Sequence, residues 1–120
     1  MGSGYIADDI YLVSLPAEPA TNKELRAVNE MVSERCDYDV MVNFRQVEVL
    51  TSPSLANLIT LHHLVEGSGR KLVLYNASLM TKSIFIATGL DVLFHFADDR
   101  ARAVQWCRYG IAERTEAWRL

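Results

Sequence analysis

Short apolar runs alternate with helical stretches along this sequence, and only a few residues join one to the next. The runs at 10–15 (IYLVSL), 40–44 (VMVNF), 72–75 (LVLY) and 92–96 (VLFHF) are each followed by a stretch with helix signals. The 72–75 run is apolar at every position, as a strand covered on both faces should be. Strand and helix in alternation, with short connections, imply parallel strands joined by right-handed crossovers. The expectation is one α/β domain: a mostly parallel sheet of four to five strands with helices packed against it. A chain of 120 residues suits a single domain. Half the residues are apolar and 22% charged, which excludes a disordered chain.

The punctuation agrees. Tyr5 and Ile6 read as a small edge segment, with a turn at Asp8-Asp9 before the first main strand. Residues 16–20 (PAEPA) break that strand into a loop. Thr21 and Glu24 form a T-x-x-E capping box, opening a helix whose inner face is Leu25, Val28, Met31 and Val32 and which ends near Arg35. The central stretch, 47–65, begins as the tail of a strand, breaks at Thr51-Ser52-Pro53-Ser54 and continues as a helix. Ser52 stands where an N-cap belongs and Pro53 where the first helical residue belongs. A phosphate on that serine is expected to meet free backbone N–H groups and the positive end of the helix dipole. Gly67-Ser68-Gly69 stops the helix. A further helix spans 78–88, with Gly89 as its stop. Asp98 starts a last helix that runs past Trp106 with a break at Gly110. The domain core is thus expected over about 5–107, with a C-terminal helical extension at 108–120.

Charge and composition narrow the function. A net charge of −3 argues against nucleic acid or an anionic membrane as the main partner. No apolar run approaches a membrane span, and the N-terminus lacks the pattern of a signal peptide. Cys36 and Cys107 are too few and too far apart for a disulfide framework or a metal site, and reduced thiols suit a cytoplasmic protein. His62 and His63 are adjacent on a helix, about 100° apart, and cannot share one metal. His62 falls within the stripe of Leu55, Leu58, Ile59 and Val65 and reads as a partly buried core histidine. His95, between Phe94 and Phe96, has no acid or thiol partner in the sequence. Gly67-Ser68-Gly69 precedes a strand and is read as a turn, not a phosphate loop. A receiver domain of the response-regulator kind would need an acidic pair after the first strand. Here Asp8-Asp9 precede it, and Asn43 stands on the next strand where an acid would be needed. No enzymatic constellation, cofactor or metal is expected.

Strand, T-S-P-S-L, helix, Gly-Ser-Gly, strand, helix, T-G-L-D is a layout that resembles the STAS domain of the anti-sigma-factor antagonists. The resemblance covers residues 10–104 and rests on Val42-Asn43-Phe44, on residues 52–55 and on Thr88-Gly89-Leu90-Asp91. It implies a bacterial signalling module that binds an anti-sigma factor or serine kinase of the switch type. In that family the loop reads Asp-Ser-Ser/Thr-Gly-Leu, and its first serine is phosphorylated by the partner and restored by a phosphatase. The match places the phosphoacceptor at Ser52, with Thr51 and Ser54 as lesser candidates. Thr51 stands where the family has aspartate, Pro53 where it has a second hydroxyl, and Ser54 where it has glycine. Glu18 is kept in the loop after the first strand, but Ala20 replaces a usual aspartate. Stressosome scaffolds and the STAS subunit of lipid-transport ABC systems, which dock without obligatory phosphorylation, resemble the chain too.

Surface patterning also points to docking. With Leu58 and His62 facing the sheet, Leu64 is expected on the exposed side of its helix. With Met80, Ile84 and Ala87 inward, Leu79 and Ile86 are expected outward. The expected partner surface is therefore Glu18, Thr51, Ser52, Pro53, Ser54, Asn57, Leu64, Leu79 and Ile86. Trp106, Tyr109 and Trp118 are candidates to cover the core or a second subunit, giving a homodimer through the C-terminal helix. A third reading is a small-molecule sensor with His62 as its polar handle.

Overall fold

The computed structural model describes residues 3–110. Its strands follow the two-residue period of extended chain, and each sends alternate side chains to opposite faces of one sheet. On β2 (Ile10–Ser14), Tyr11 and Val13 point to one face and Ile10 and Leu12 to the other. On β3 (Asp39–Asn43), Val40 and Val42 oppose Met41. On β4 (Leu72–Tyr75), Leu72 and Leu74 oppose Val73 and Tyr75. The sheet is completed by β1 (Gly4–Ala7), antiparallel to β2, and by β5 (His95–Ala97), parallel to β4. The spatial order is β1-β2-β3-β4-β5.

Because each parallel strand lies beside its predecessor, right-handed crossovers carry every connecting helix to the same face. That face is covered by α1 (Ala20–Glu34), α2 (Ser52–Gly67) and α3 (Leu79–Ala87). They contribute Leu25, Val28 and Val32, then Leu58, Leu61 and Val65, then Phe85 to the larger core. The last helix, α4 (Arg100–Tyr109), packs on the other face, setting Ala103 and Cys107 against Met41, Val73, Tyr75 and Ala97. The fold is the α/β domain expected from the alternation, with a five-stranded mixed sheet.

Several local expectations shift. The first helix starts at Ala20, and Thr21 is not its cap: the Thr21 hydroxyl is buried and donates to the Pro16 carbonyl. Glu24 instead accepts from the Ser3 hydroxyl, so there is no capping box. The run at 92–96 splits, because residues Leu90–Val92 wind into a 3-10 turn and the strand begins only at His95. Val92 is left 83% exposed. The last helix is capped by the Asp99 side chain, one residue later than expected, and Gly110 ends it in the left-handed conformation at φ 66°. Of the C-terminal extension, residues 111–120, Trp118 among them, lie outside the described residues.

A charged fastening holds the lower end of the sheet, where β3 and β4 begin. Asp39, 6% exposed, accepts from the Lys71 backbone N–H at 3.0 Å and from Arg70 Nε at 3.1 Å. Lys71 Nζ donates to the Trp106 and Cys107 carbonyls near the end of α4, supplying positive charge where a helix dipole favours it. Burial pushes the neighbouring Cys107 thiol up to about 12. At the upper end, Asn43 Oδ1 accepts from the Arg45 N–H and from Asn76 Nδ2, tying together the exits of β3 and β4. Asn76 sits there at φ 62°, a left-handed position that asparagine tolerates better than most residues. These exits fix where the chain from 44 to 51 must run.

Candidate functional site

That segment leads from β3 over the upper edge of the sheet to α2, held from below by Val47 and Leu50, both buried. Its second anchor is Thr81 of α3, whose buried hydroxyl lies 3.3 Å from the Val47 carbonyl and 3.5 Å from that of Glu48. The first turn of α3 therefore sits against the segment that leads into α2. Val49 (56% exposed), Leu79 (74%) and Met80 (64%) stand out around this junction.

The start of α2 differs from the sequence expectation by one residue. Thr51, not Ser52, is the N-cap: its Oγ1 accepts from the Ser54 N–H at 3.3 Å, and its carbonyl accepts from the Leu55 N–H at 2.9 Å. Both residues carry a hydroxyl, but an N-cap at Ser52 would need the Leu55 N–H that Thr51 already holds. Ser52 is thus the first helical residue and Pro53 the second. The consequence for an anion is direct. Of the four N–H groups that open a helix without intrahelical partners, that of Thr51 donates to Glu18 Oε2 at 3.0 Å. That of Ser54 is taken by Thr51, and Pro53 has none. Only the Ser52 N–H remains without a partner among the described residues. Of the array of free donors expected at this helix start one is left, because the Glu18 carboxylate and the Thr51 side chain hold the others.

Glu18 ties the loop before α1 to the cap of α2. Its Oε2 accepts from both the N–H and the hydroxyl of Thr51, while Oε1 is enclosed with no partner among the described residues. A carboxylate at a helix N-terminus is itself favourable by about 0.3–1 kcal/mol. Of the three hydroxyls in the loop, Ser54 is fully buried and bonded to Thr51, and Thr51 is engaged by Glu18 and Ser54. Ser52 is exposed, and its hydroxyl makes no hydrogen bond to a described residue.

The other expected site residues divide. Asn57 is half-buried and donates to the Asn22 Oδ1 of α1, while its carbonyl accepts from Asn29 Nδ2. This asparagine set joins α1 to α2. Asn22 and Asn29 were not anticipated, although their spacing of seven puts them on one helical face. Leu64 is half-buried against the core rather than exposed. The residues that α2 turns to the sheet are Leu58, Leu61 and Val65, so Leu61 takes the place assigned to His62. The helix is flanked by α1 on one side and meets Phe94 on the other, which is why it is apolar nearly all round. The His62 ring meets Phe94 edge-on at 5.3 Å, and burial lowers its pKa below the usual histidine value.

On α3 the inner face is Thr81, Lys82 and Phe85. Met80 and Ala87, expected inward, are exposed. Phe85 sets the rotation, because its ring is held edge-on by Phe44, Phe94 and Phe96. Leu79 and Ile86 face outward as expected, with Met80 added to them.

The arrangement of sheet, helices and capped loop has close counterparts among solved structures. The anti-sigma factor antagonist SpoIIAA in its unphosphorylated form superposes with a TM-score of 0.73 at 16% identity, covering 92% of this chain and 97% of its own. A Thermotoga maritima protein assigned as an anti-sigma factor antagonist gives 0.70 at 15% identity, over 87% and 92%. The Bacillus cell-fate determinant SpoIIAA in its phosphorylated form gives 0.67 at 14%, over 88% and 97%. The chain has the STAS fold. No family model matches the sequence, and no curated protein does. On the STAS fold, Ser52 opens the helix after the third strand. The segment that leads to it is held by Glu18 of the loop before α1, through Thr51, and by Thr81 of α3, through the Val47 carbonyl. No helix of the described residues is long and apolar enough to cross a membrane.

Proposed function

We propose that this STAS domain is a regulatory protein-binding module of the anti-sigma-factor-antagonist kind, acting by docking and not by catalysis. Its partner would be an anti-sigma factor or serine kinase of the switch type. The carrying observation is the exposed Ser52 hydroxyl, with both neighbouring hydroxyls of the loop already engaged, in a domain that also leaves Val49, Leu79 and Met80 exposed. Exposed apolar groups and one accessible hydroxyl suit an interface that a modification can switch.

Ser52 is the proposed phosphoacceptor. Since all but one of the α2 donors are taken, a phosphate there gains little from its own domain and remains directed at the partner. In this reading it acts by adding charge to the interface, leaving the fold as it is. SpoIIAA, which this fold matches, is known in both phosphorylated and unphosphorylated forms, and that supports the reading. The second reading, a scaffold or lipid-transporter accessory that docks without phosphorylation, is favoured by Thr51 and Pro53. They replace the acid and hydroxyl of the family loop.

Affinity capture with the full chain as bait, read by mass spectrometry, separates the two. An ATP-binding anti-sigma kinase is the expected catch, and its yield falls with Leu79→Asp. Capture of a transport ATPase or of other STAS scaffold chains alone would replace the first reading with the second.

A further inference from the structure

On the second face of the sheet, one flank of α4 holds two N–H groups that the described residues leave without an acceptor. Trp106 stacks on the His95 ring, 3.9 Å away and 15° from parallel, and Lys71 Nζ lies 5.6 Å from the indole centre. The stack fixes the ring, yet Trp106 Nε1 is enclosed with no hydrogen-bond partner among the described residues. Arg102 is four residues earlier and so on the same flank. It pairs with Asp99 through Nη1, and its Nε is likewise enclosed without a partner. A buried donor left unsatisfied costs about 1–3 kcal/mol. Two of them on one helix flank call for an acceptor from beyond residues 3–110.

Two stretches of the chain lie beyond those residues. Residues 1–2 precede β1, the opposite edge of the sheet from β5 and its His95. Residues 111–120 start where α4 ends, at Gly110, whose left-handed φ of 66° takes the chain out of the helix. Ten residues reach at most about 33–36 Å, against about 15 Å for the length of α4. Their sequence, IAERTEAWRL, holds two carboxylates, Glu113 and Glu116.

We infer that this flank of α4 is the docking site of the chain's own C-terminal segment, with the Glu113 carboxylate as acceptor for Trp106 Nε1 and Arg102 Nε. Trp106 and Arg102 lie about 6 and 12 Å back from Gly110 along the helix axis. Glu113 is about 10 Å of extended chain beyond Gly110, level with the space between them, whereas Glu116, at about 20 Å, is past both. A carboxylate also suits a guanidinium donor better than a neutral acceptor does. The site is on the other face of the sheet from α2, so it stands or falls separately from the Ser52 reading.

The test is proton NMR of the full chain, following solvent exchange of the Trp106 indole N–H, whose resonance Trp118→Phe identifies. In Glu113→Ala that N–H should exchange at least about tenfold faster than in the parent, while Glu116→Ala leaves it as in the parent. Equal exchange in the parent and Glu113→Ala, as a trapped water in place of the carboxylate would give, overturns the inference. So does an effect of Glu116→Ala as large as that of Glu113→Ala. Protection that is lost when the parent is diluted would assign the acceptor to a second copy and overturn it too.

Discussion

Phe85→Ala unfolds this protein about 10–20 °C below the parent, a loss of roughly 3–5 kcal/mol. Phe85 is fully enclosed, with ring centroids of Phe96, Phe94 and Phe44 at 5.1, 5.4 and 6.4 Å, all close to edge-to-face. Truncation removes the transfer free energy of the ring. It also leaves a cavity among three aromatic side chains, two of them on or next to β5, where little can relax inward. The loss is a large part of the roughly 5–15 kcal/mol that holds a domain of this size together. The control is Leu79→Ala on the same helix. Leu79 is 74% exposed, and its truncation should stay within about 0.5 kcal/mol. Chemical denaturation of both variants measures the difference. Similar midpoints for the two would mean that α3 is not rotated as described here.

Asp39→Ala has the second largest effect, about 2–3 kcal/mol. Removing the carboxylate strands the Lys71 N–H and the Arg70 guanidinium together. Charged hydrogen bonds contribute about 1.5–3 kcal/mol each. The loss stays below that of a sealed ion pair because the Arg70 side chain is 30% exposed and can return to water. Asp39→Asn keeps an acceptor for the Lys71 N–H and should lose roughly half as much. Urea midpoints for the pair give the comparison. If the two variants match the parent, the fastening at the base of β3 and β4 contributes nothing to stability.

The architecture was readable because it depends on periodicity and punctuation. Leu72-Val73-Leu74-Tyr75 could only be a strand covered on both sides, and Gly67-Ser68-Gly69 could only end the helix before it. What failed was orientation. Helix α3 is apolar on several faces, so its sequence does not say whether Met80 or Phe85 turns inward. The ring cluster decides, and its members come from β5, the segment after β3 and the 90s turn. The cap was misplaced by one residue because Thr51 and Ser52 both offer a hydroxyl to the same turn. Only the Glu18 carboxylate, 33 residues earlier and bonded to Thr51, fixes the choice. Ser52 itself was singled out from local sequence, and its exposure in the structure leaves it available for the proposed role.

That role makes the central claim one about charge at an interface. With the captured partner in hand, calorimetry on the parent, Ser52→Ala and Ser52→Asp tests it most directly. Ser52→Ala should bind as the parent does, while Ser52→Asp should bind at least about tenfold more weakly, a difference of about 1.4 kcal/mol. Equal affinities for the alanine and aspartate variants would contradict the account.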